Sequence, residues 1–491
     1  MRIRTASPRP FTSVVDSSHR ADQGVVVNDV HSRLNATRVA RVDAPTSVRE
    51  LQTAMRRAAD DGCPVAIAGG RHAMGAQQFG TGAVLLDLRG LTRMLAFDPV
   101  HGRVEIEAGM HWPALIAELR QRQASAPHPW AIAQKQTGAD RLSIGGAIAA
   151  NIHGRGLTMR PFISDIESVT LLGPDGELRL VSRDAHPDLF RLVVGGYGLF
   201  GVVTSATLRL VPRRTLRRVV EVITVDSLME AFAQRIAAGF LYGDFQFAID
   251  PASDDFLHRG VFSTYEPVDP ATPIPPIQRA LGADDWQRLL HLAHTRKSDA
   301  FAAYSRHYLA TSGQLYHSDL HQLADYLDDY HPALDRAMGA AHPGSEMITE
   351  IYVPRHRLVD FLDEAREDFR RERVDLVYGT IRLVERDDES ALAWAREPWA
   401  CTIFNLHVDH TPHAIARSGE HFRRLIDMAV RRGGSYYLTY HRHATREQVL
   451  ACHPRLPDVL RAKRARDPHE RIQSDWYRHY RDMLPGACAA N

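Results

Sequence analysis

The feature of this sequence that most constrains its fold is the stretch SIGGAIAANIHGRG at residues 143–156. It consists mostly of Gly, Ala, Ser and Asn, so it offers few side chains for an ordinary hydrophobic core. Something else must pack against this backbone, and a flat cofactor is the natural candidate. A tight contact between two helices is the alternative, and the stretch alone leaves it open.

A second segment of this kind, AGGRHAMGAQ, occupies residues 68–77. It follows the apolar run at residues 64–68, which predicts a short buried strand. Glycines at this place allow positive φ angles and a close approach of the backbone to a ligand. Successive N–H groups can then hold a pyrophosphate. Read alone, the segment is equally compatible with a plain turn that carries a surface histidine.

A third segment contains a literal GxGxxG pattern at Gly196, Gly198 and Gly201. In a nucleotide-binding Rossmann fold this pattern follows a strand and opens a helix. Here the glycines precede residues 202–207, VVTSAT, whose β-branched side chains favour a strand. We therefore predict a strand and reject a Rossmann NAD site.

The 491 residues exceed what one hydrophobic core accommodates, so two or three folding units are expected. Up to Pro212, short helices and strands alternate, with a helix at residues 47–60 and a hairpin at 165–180. After Pro212 the pattern changes to long helices, at 227–238 and 275–291, mixed with strands. These strands are predicted at residues 245–249, 347–353, 377–383 and 403–408. The mixture indicates an α+β protein whose second unit is an antiparallel sheet with helices on one side.

Composition excludes several classes of protein. The net charge is +1, so no nucleic-acid partner is expected. No stretch is apolar enough for a membrane span, and the first residues do not resemble a secretion signal, which predicts a cytoplasmic location. No metal site is predicted, because the spacing of His441, His443 and His453 fits no zinc pattern. The cysteines are scattered, without the spacing of a disulfide framework, at Cys63, Cys401, Cys452 and Cys488.

From about Arg41 to Pro212, the three segments together resemble the FAD domain of the vanillyl-alcohol-oxidase (PCMH-type) superfamily. AGGRHAMG is similar to that family's pyrophosphate loop, and LSIGGAIAANIHGRG to its second flavin loop. Residues 165–212 are similar to the end of the domain. The nearest subgroups are the alditol and sugar-lactone oxidases and the decaprenylphosphoryl-ribose oxidases. The tail from Tyr436 is especially similar to the last of these.

The resemblance implies a two-lobed FAD-binding domain at residues 1–215 and a substrate-binding cap at 216–445. The cap would carry an antiparallel sheet flanked by helices. Residues 446–491 would return to the FAD domain. The cofactor would be FAD, lying extended between the two units. The sequence does not indicate an oligomeric state.

The resemblance also assigns the cofactor contacts. In alditol oxidases an Arg-His pair stands in the pyrophosphate loop and the histidine bonds to the flavin; Arg71 and His72 occupy that place. We therefore expect FAD to be covalently linked through His72. A second link would need a cysteine near residues 137–141, and none is there. The expected FAD-binding residues are Ala68, Gly69, Gly70, Arg71, His72, Ala73, Met74, Gly75, Gln77, Thr137, Gly138, Ser143, Gly145, Gly146, Ala149, Asn151, His153, Gly154, Gly201, Val202 and Val203.

The expected reaction is oxidation of an alcohol, such as a polyol, sugar or lactone, by hydride transfer to flavin N5. Oxygen is the expected acceptor, with hydrogen peroxide as product. A dehydrogenase that uses a quinone or protein acceptor, and a flavin-binding accessory protein without turnover, are the alternatives. Tyr440 stands where decaprenylphosphoryl-ribose oxidases have an active-site lysine, which argues against the same substrate. The catalytic candidates on the strands and tail of the cap are Glu350, Arg382, His407, Tyr440 and His441.

Overall fold

The computed structural model describes residues 24–138, 140–324 and 330–487. Ala139 and Cys488 lie outside the described residues. The part up to Pro212, here called the N-terminal part, mixes short strands and helices. Its elements are β1 (Val25–Val27), β2 (Thr37–Val39), β3 (Arg41–Asp43), α1 (Val48–Asp60), β4 (Val65–Ala68), β5 (Val84–Asp87), β6 (Met94–Asp98), β7 (Arg103–Glu107), α2 (Trp112–Arg122), β8 (Trp130–Ile132), α3 (Ile144–Ala150), β9 (Ile166–Leu172), β10 (Leu178–Ser182), α4 (Pro187–Val193) and β11 (Val202–Pro212).

Helix α1 shows how local sequence defines these elements. The Ser47 side chain accepts a hydrogen bond from the Glu50 N–H group and so caps the first turn. Leu51, Met55 and Ala58 recur at helical spacing and are buried. They pack in one cluster with residues of β4 and β5, which lie in a parallel sheet of order β3-β5-β4. The helix predicted at residues 47–60 is confirmed.

A second, antiparallel sheet of the N-terminal part has the order β10-β9-β11-β7-β6, with β8 paired to the end of β11. Strands β9 and β10 form the predicted hairpin, with Leu172 opposite Leu178. Gly201 has a φ of 147°, and β11 begins at the next residue. A strand therefore follows the GxGxxG pattern, which confirms that the pattern does not open a helix.

Residues 215–436 contain an eight-stranded antiparallel sheet, here called the central sheet, with the order β15-β12-β14-β13-β17-β18-β16-β19. The elements of this region are β12 (Thr215–Thr224), α5 (Val225–Ala237), β13 (Tyr242–Phe247), β14 (Arg259–Pro267), α6 (Ala283–Thr295), α7 (Lys297–Leu309), β15 (Leu315–His317), α8 (His331–Met338), β16 (Gly344–Pro354), α9 (Leu358–Glu372), β17 (Leu376–Val384), β18 (Trp399–Asp409), α10 (Pro412–Val430) and β19 (Ser435–Tyr436).

The two faces of the central sheet differ because side chains alternate along each strand. On one face, Phe404 and Leu406 join a hydrophobic cluster with residues of α9 and α10. On the other, Ile403 and Asn405 line a cavity that α6 and α7 also line. Helices therefore lie on both faces, which corrects the expectation of helices on one side only.

Helix α6 is also shorter than predicted. It begins at Ala283, whereas the periodicity predicted a helix over residues 275–291. Pro275 and Pro276 explain the difference, because each removes an N–H donor and disfavours helical backbone at the preceding residue. Residues 275–282 instead run as an irregular segment.

The last helices are α11 (Arg446–Cys452), α12 (Leu456–Arg466) and α13 (Asp475–Met483). Between α12 and α13 the chain runs beside β4: the Val65 N–H group donates to the Arg471 carbonyl at 2.7 Å, and Gln473 N–H donates to the Val65 carbonyl at 2.9 Å. The Asp475 carboxylate accepts the Thr81 N–H group at 2.9 Å. This segment thus adds to the edge of the parallel sheet. Among the described residues, no helix is long and apolar enough to cross a membrane.

Candidate active site

A cavity of about 670 Å³ lies between the N-terminal part and the central sheet. One wall comes from the loop after β4 and from α3, and here Gly69, Gly145 and Ala149 face the space. The opposite wall comes from the central sheet and the chain that follows β19, and carries Glu350 and Tyr440. The two glycine-rich segments, far apart in sequence, therefore meet on one side of one space.

Most of the residues expected to bind FAD line this cavity. They are Gly69, Gly70, Arg71, His72, Ala73, Met74, Gln77, Thr137, Gly138, Ser143, Gly145, Gly146, Ala149, His153, Gly201 and Val203. Ala68, Gly75, Asn151, Gly154 and Val202 lie outside the lining. Ala68 and Val202 are strand residues whose side chains point into hydrophobic clusters.

Asn151 ends α3 and shapes the second loop without reaching the cavity. It has a left-handed φ of 48°. Its side-chain oxygen accepts the Ile163 N–H group at 2.8 Å, and its amide nitrogen donates to Asp387 at 3.0 Å. Gly154 is held by its N–H group, which donates to Gln134 at 3.2 Å. These contacts position the backbone of the residues that do face the cavity.

The glycine-rich loops touch each other almost through backbone alone. A Cβ atom on Gly69 would stand 2.0 Å from the Ser143 Oγ, and one on Gly70 would stand 2.5 Å from the Arg141 carbonyl. A Cβ on Gly146 would meet only the Ser143 Oγ, at 3.2 Å, before entering the cavity. At these glycines the wall is smooth because it presents backbone, while Arg71, His72 and Met74 add side chains beside them.

Gln77 connects the loop after β4 to the chain that follows β19. Its Nε2 donates to the carbonyls of Leu438 and Thr439 at 3.0 and 2.9 Å. Its Oε1 accepts the Gly75 N–H group at 3.1 Å. The loop geometry therefore depends on residues that follow the central sheet.

His72 faces the cavity as a neutral imidazole. Burial, together with the nearby His31 and His111, lowers the pKa of His72 to about 3. Its Nδ1 is buried and has no hydrogen-bond partner among the described residues. An unprotonated ring nitrogen with a free lone pair is a competent nucleophile or ligand at neutral pH.

Glu350 forms the centre of a polar network on the opposite wall. Its Oε2 accepts hydrogen bonds from Tyr352 at 2.8 Å and from His153 at 2.9 Å, and its Oε1 accepts one from Tyr440 at 2.7 Å. Burial opposes ionisation, but His153 and Tyr440 outweigh it and lower the pKa of Glu350 to about 2. Glu350 is therefore a carboxylate at any physiological pH.

The His153 ring joins the second glycine-rich segment to the central sheet. Its Nδ1 lies 3.0 Å from the Gly154 carbonyl, and its Nε2 lies 2.9 Å from the Glu350 carboxylate. His153 and Glu350 thus form a buried contact across the cavity wall.

Arg382 also lines the cavity and is only 6% exposed. It has no hydrogen bond or ion pair to any described residue, and its Nε is fully buried. Its Nε has lost contact with water without gaining an acceptor, which is costly for a polar group. Such a group fits a polar or anionic atom of a bound molecule.

The other two catalytic candidates, His407 and His441, do not line the cavity. The His441 ring is stacked on Phe422, with ring centroids 4.3 Å apart, and its Nε2 lies 3.2 Å from the Thr349 Oγ1. His441 follows the short strand β19 and turns into the core. His407 has the cavity-facing register of Asn405 but lies further along β18, beside His294. For His407, strand alternation predicts the correct face of the central sheet but not the position along β18 relative to the cavity.

Comparison with known proteins supports this arrangement. Residues 39–182 match a family model described as an FAD binding domain. Residues 39–182 therefore form an FAD-binding domain. The match covers the loop after β4 and helix α3, which are the two segments of the FAD-binding domain that form the smooth wall.

Several curated proteins are similar to this chain over the FAD-binding domain and somewhat beyond. A D-arabinono-1,4-lactone oxidase of Yarrowia lipolytica is 29% identical over 38% of this chain and 34% of its own length. A decaprenylphosphoryl-beta-D-ribose oxidase of Mycolicibacterium smegmatis is 29% identical over 40% of this chain and 42% of its own length. An L-gulono-1,4-lactone dehydrogenase of Mycobacterium tuberculosis is 29% identical over 48% of this chain and 52% of its own length. The matched segments thus span about a third to a half of these relatives.

The residues of the FAD-binding domain fit an FAD molecule on structural grounds. The wall presents backbone where a flat ring and a pyrophosphate need close approach. Buried polar atoms without partners among the described residues also face this region, namely Arg71 Nε, His72 Nδ1 and Thr137 Oγ1. Buried polar atoms are nearly always satisfied, so these three indicate a polar ligand.

Sequence reasoning missed part of the site opposite the FAD-binding domain. The Cys401 Sγ lies 3.7 Å from Glu350 Oε2, and Tyr352 donates to the same oxygen. Both follow from strand alternation, since Tyr352 is two residues beyond Glu350 and Cys401 two before Ile403. A more distant arm of the cavity is lined by Arg155, Arg218 and Tyr304. Arg155 belongs to the second glycine-rich segment, whereas Arg218 and Tyr304 come from β12 and α7 and no sequence motif marks them.

Proposed function

We propose that this chain is an FAD-dependent oxidoreductase that oxidises the CH–OH group of a small hydroxylated molecule. The observation that carries the proposal is the single cavity with two unlike walls. One wall is backbone-lined and suits a flavin, and the other places the Glu350 carboxylate and the Arg382 guanidinium against the same space. When bound, FAD supplies a two-electron acceptor for a hydride from the substrate carbon.

The side chains of the central sheet would bind and deprotonate the substrate. Its hydroxyl group would replace Tyr440 as the hydrogen-bond donor to Glu350 Oε1. With a pKa of about 2, Glu350 is too weak a base to ionise an ordinary alcohol in advance. The proton transfers as hydride departure turns the carbinol into a strongly acidic protonated carbonyl. The contacts with His153 and Tyr352 would keep the carboxylate oriented until then.

Arg382 would orient the substrate through an oxygen near the reacting carbon. The relatives named above act, according to their names, on D-arabinono-1,4-lactone, decaprenylphosphoryl-beta-D-ribose and L-gulono-1,4-lactone. A ring oxygen, carbonyl or hydroxyl of a sugar lactone or polyol would satisfy the Arg382 donors. We therefore place the substrate among polyols, sugars and sugar lactones.

The covalent link and the domain organisation complete the proposal. His72 would hold the flavin covalently, which its neutral ring and partner-free Nδ1 support. We propose a two-lobed FAD-binding domain at residues 1–215, a cap at 216–445, and a C-terminal segment at 446–491. A cytoplasmic location remains the expectation from the sequence.

Anaerobic stopped-flow absorbance tests the reaction. The purified protein should be yellow, and one member of a panel of polyols, sugar lactones and aromatic alcohols should bleach its absorbance near 450 nm. A protein that is colourless, or whose colour no hydroxylated substrate bleaches, would contradict the proposal. The second outcome would favour a flavin-binding protein without turnover.

Reoxidation distinguishes the two kinds of enzyme. The reduced protein is mixed either with oxygen or with a quinone, and the return of colour is timed. Fast recovery with oxygen and formation of hydrogen peroxide identify an oxidase, which we propose here. Recovery with the quinone alone identifies a dehydrogenase.

A further inference from the structure

A second polar cluster lies on the cavity-facing side of the central sheet. Glu346 on β16 stands directly opposite His407 on β18 in the register of the sheet. His294, near the end of α6, and His331, at the start of α8, approach the same carboxylate. All four side chains are largely buried, with 2–13% of each exposed. Four separate elements thus converge on one carboxylate.

The ligand atoms lie at distances that a metal ion could bridge. The Nε2 of His294 is 3.3 Å from Glu346 Oε1, and the Nε2 of His331 is 3.5 Å from Glu346 Oε2. The nitrogen and oxygen atoms of His294, Glu346 and His407 all lie within 4.8 Å of one another. In a tetrahedral zinc site, neighbouring ligand atoms are about 3.4 Å apart. His331 lies outside this group of three, so its ring would have to move closer to His294 and His407 to complete a set of four.

The ring nitrogens are also poorly satisfied without an ion. The Nδ1 atoms of His331 and His407 are buried and have no hydrogen-bond partner among the described residues. The His331 ring contacts Glu346 through Nε2 and leaves Nδ1 without a described partner. One carboxylate needs at most one or two donors, and Tyr330 already donates to Glu346 Oε2. Three imidazoles around the Glu346 carboxylate are therefore more donors than this carboxylate needs.

We propose that His294, His331, His407 and Glu346 bind one divalent transition-metal ion, which the donor set identifies as zinc. Three imidazoles and one carboxylate suit zinc better than calcium or magnesium, which prefer oxygen ligands. Four protein ligands leave no open position, so the site is structural. The ion would fasten α6 and α8 to the central sheet at the edge of the cavity.

This site is separate from the proposed alcohol-oxidising centre. Glu346 and Glu350 are four residues apart on β16, which places them about 13 Å apart along the strand. The inference therefore stands whether or not the chain oxidises alcohols. It predicts metal-dependent stability rather than metal-dependent hydride transfer.

Metal analysis of the flavin-containing protein, purified without chelators, tests the site. We expect about one zinc ion per chain, as for a four-ligand structural site. Glu346→Gln and His407→Ala should each lose the ion. Asn405→Ala is the matched control, since Asn405 is on the same face of β18, two residues before His407, and should keep it. Circular dichroism checks that each variant is folded.

A chelator titration of the unmodified protein decides the question even if the variants do not fold. The melting temperature should fall when a strong chelator removes zinc and should recover when zinc is returned. Iron or manganese in equal amount, lost in both variants, would support the site and change the metal. The proposal is overturned if the protein takes up no divalent ion and its melting temperature does not respond, or if both variants retain the ion.

Discussion

The two walls of the cavity are built in opposite ways. The wall of the FAD-binding domain is made of backbone, from the loop after β4 and the face of α3 that carries Gly145 and Gly146. The wall of the central sheet is made of side chains, among them the ionised Glu350 and the unpaired Arg382. A wall of backbone suits a cofactor that many proteins share. Substitutions among the side chains of the other wall can change substrate specificity without disturbing the cofactor site. The comparison predicts that substitutions on the two walls will have different effects.

The largest expected effect concerns the one reactive side chain of the backbone wall. His72→Ala should abolish the acid-stable yellow colour completely, because no other neutral nucleophile of the loop faces the cavity. The measurement is the absorbance of the acid-precipitated and washed protein. His111→Gln is the matched control, since His111 lies near His72 and should keep the colour. Colour that survives in His72→Ala would remove the covalent link.

Next in size is the loss of the carboxylate on the opposite wall. Glu350→Gln should slow flavin reduction by about 10²- to 10⁴-fold, the usual cost of losing a proton acceptor. Flavin content should not change, because Glu350 belongs to the central sheet. Anaerobic stopped-flow absorbance measures the rate, and Tyr440→Phe provides a milder comparison that keeps the charge. A rate within threefold of the unmodified protein would assign the proton to another group.

A pair of bulky substitutions tests the contrast directly. Gly146→Val would put a side chain into the cavity from the backbone wall, and overpacking of this kind costs about 1–3 kcal/mol. We expect a lower flavin content, measured by the ratio of absorbance at 450 and 280 nm, because the added side chain hinders FAD from reaching His72. Ile348→Phe on the central sheet should keep the flavin and raise the KM for substrate. Equal flavin loss in both would show that the walls do not differ in function.

The smallest effect concerns Asp165, behind the backbone wall. Burial raises the pKa of Asp165 to about 6, despite a hydrogen bond from Gln134 at 2.9 Å. The folded state therefore binds this proton more tightly than the unfolded state, so the free energy of unfolding falls as the pH rises from about 4 to 6. Above about pH 6 the free energy of unfolding stays at this lower value.

Asp165→Asn should remove this dependence and stabilise the protein above pH 6 by about 1–2 kcal/mol. Urea unfolding at pH 4.5 and pH 7.5 measures it. Asp175→Asn is the control, because the pKa of that exposed carboxyl is lowered instead, by Arg179. A pH dependence that persists in Asp165→Asn would mean that the carboxyl is already ionised in the folded state.

The same contrast explains how much the sequence could predict. The loops at residues 68–77 and 143–156 could be identified because runs of glycine and alanine show directly where large side chains are missing. Strand alternation also placed Glu350 and Arg382 on the cavity face. Position along a strand depends on the register with its neighbours, so His407 was assigned to the site although it lies beside His294. His441 does not reach the cavity because its ring stacks on Phe422, although the preceding residue, Tyr440, faces the cavity.

The proposed metal cluster lay beyond sequence reasoning for a related reason. Zinc motifs are recognised by short spacings between ligands, and His441, His443 and His453 were judged on that basis. His294, His331, Glu346 and His407 come from α6, α8, β16 and β18, and only the folded sheet brings them together. Ligands gathered from four elements leave no spacing to recognise.

The attachment of the C-terminal segment to β4 has a consequence for the order of events during synthesis. Thr81 and its partner Asp475 are 394 positions apart, and Gln77 is held by Leu438 and Thr439. A growing chain therefore displays its first flavin loop long before the residues that fix it have left the ribosome. Capture of the cofactor must wait for the late segment, so a chain truncated before this segment should fail to take up flavin.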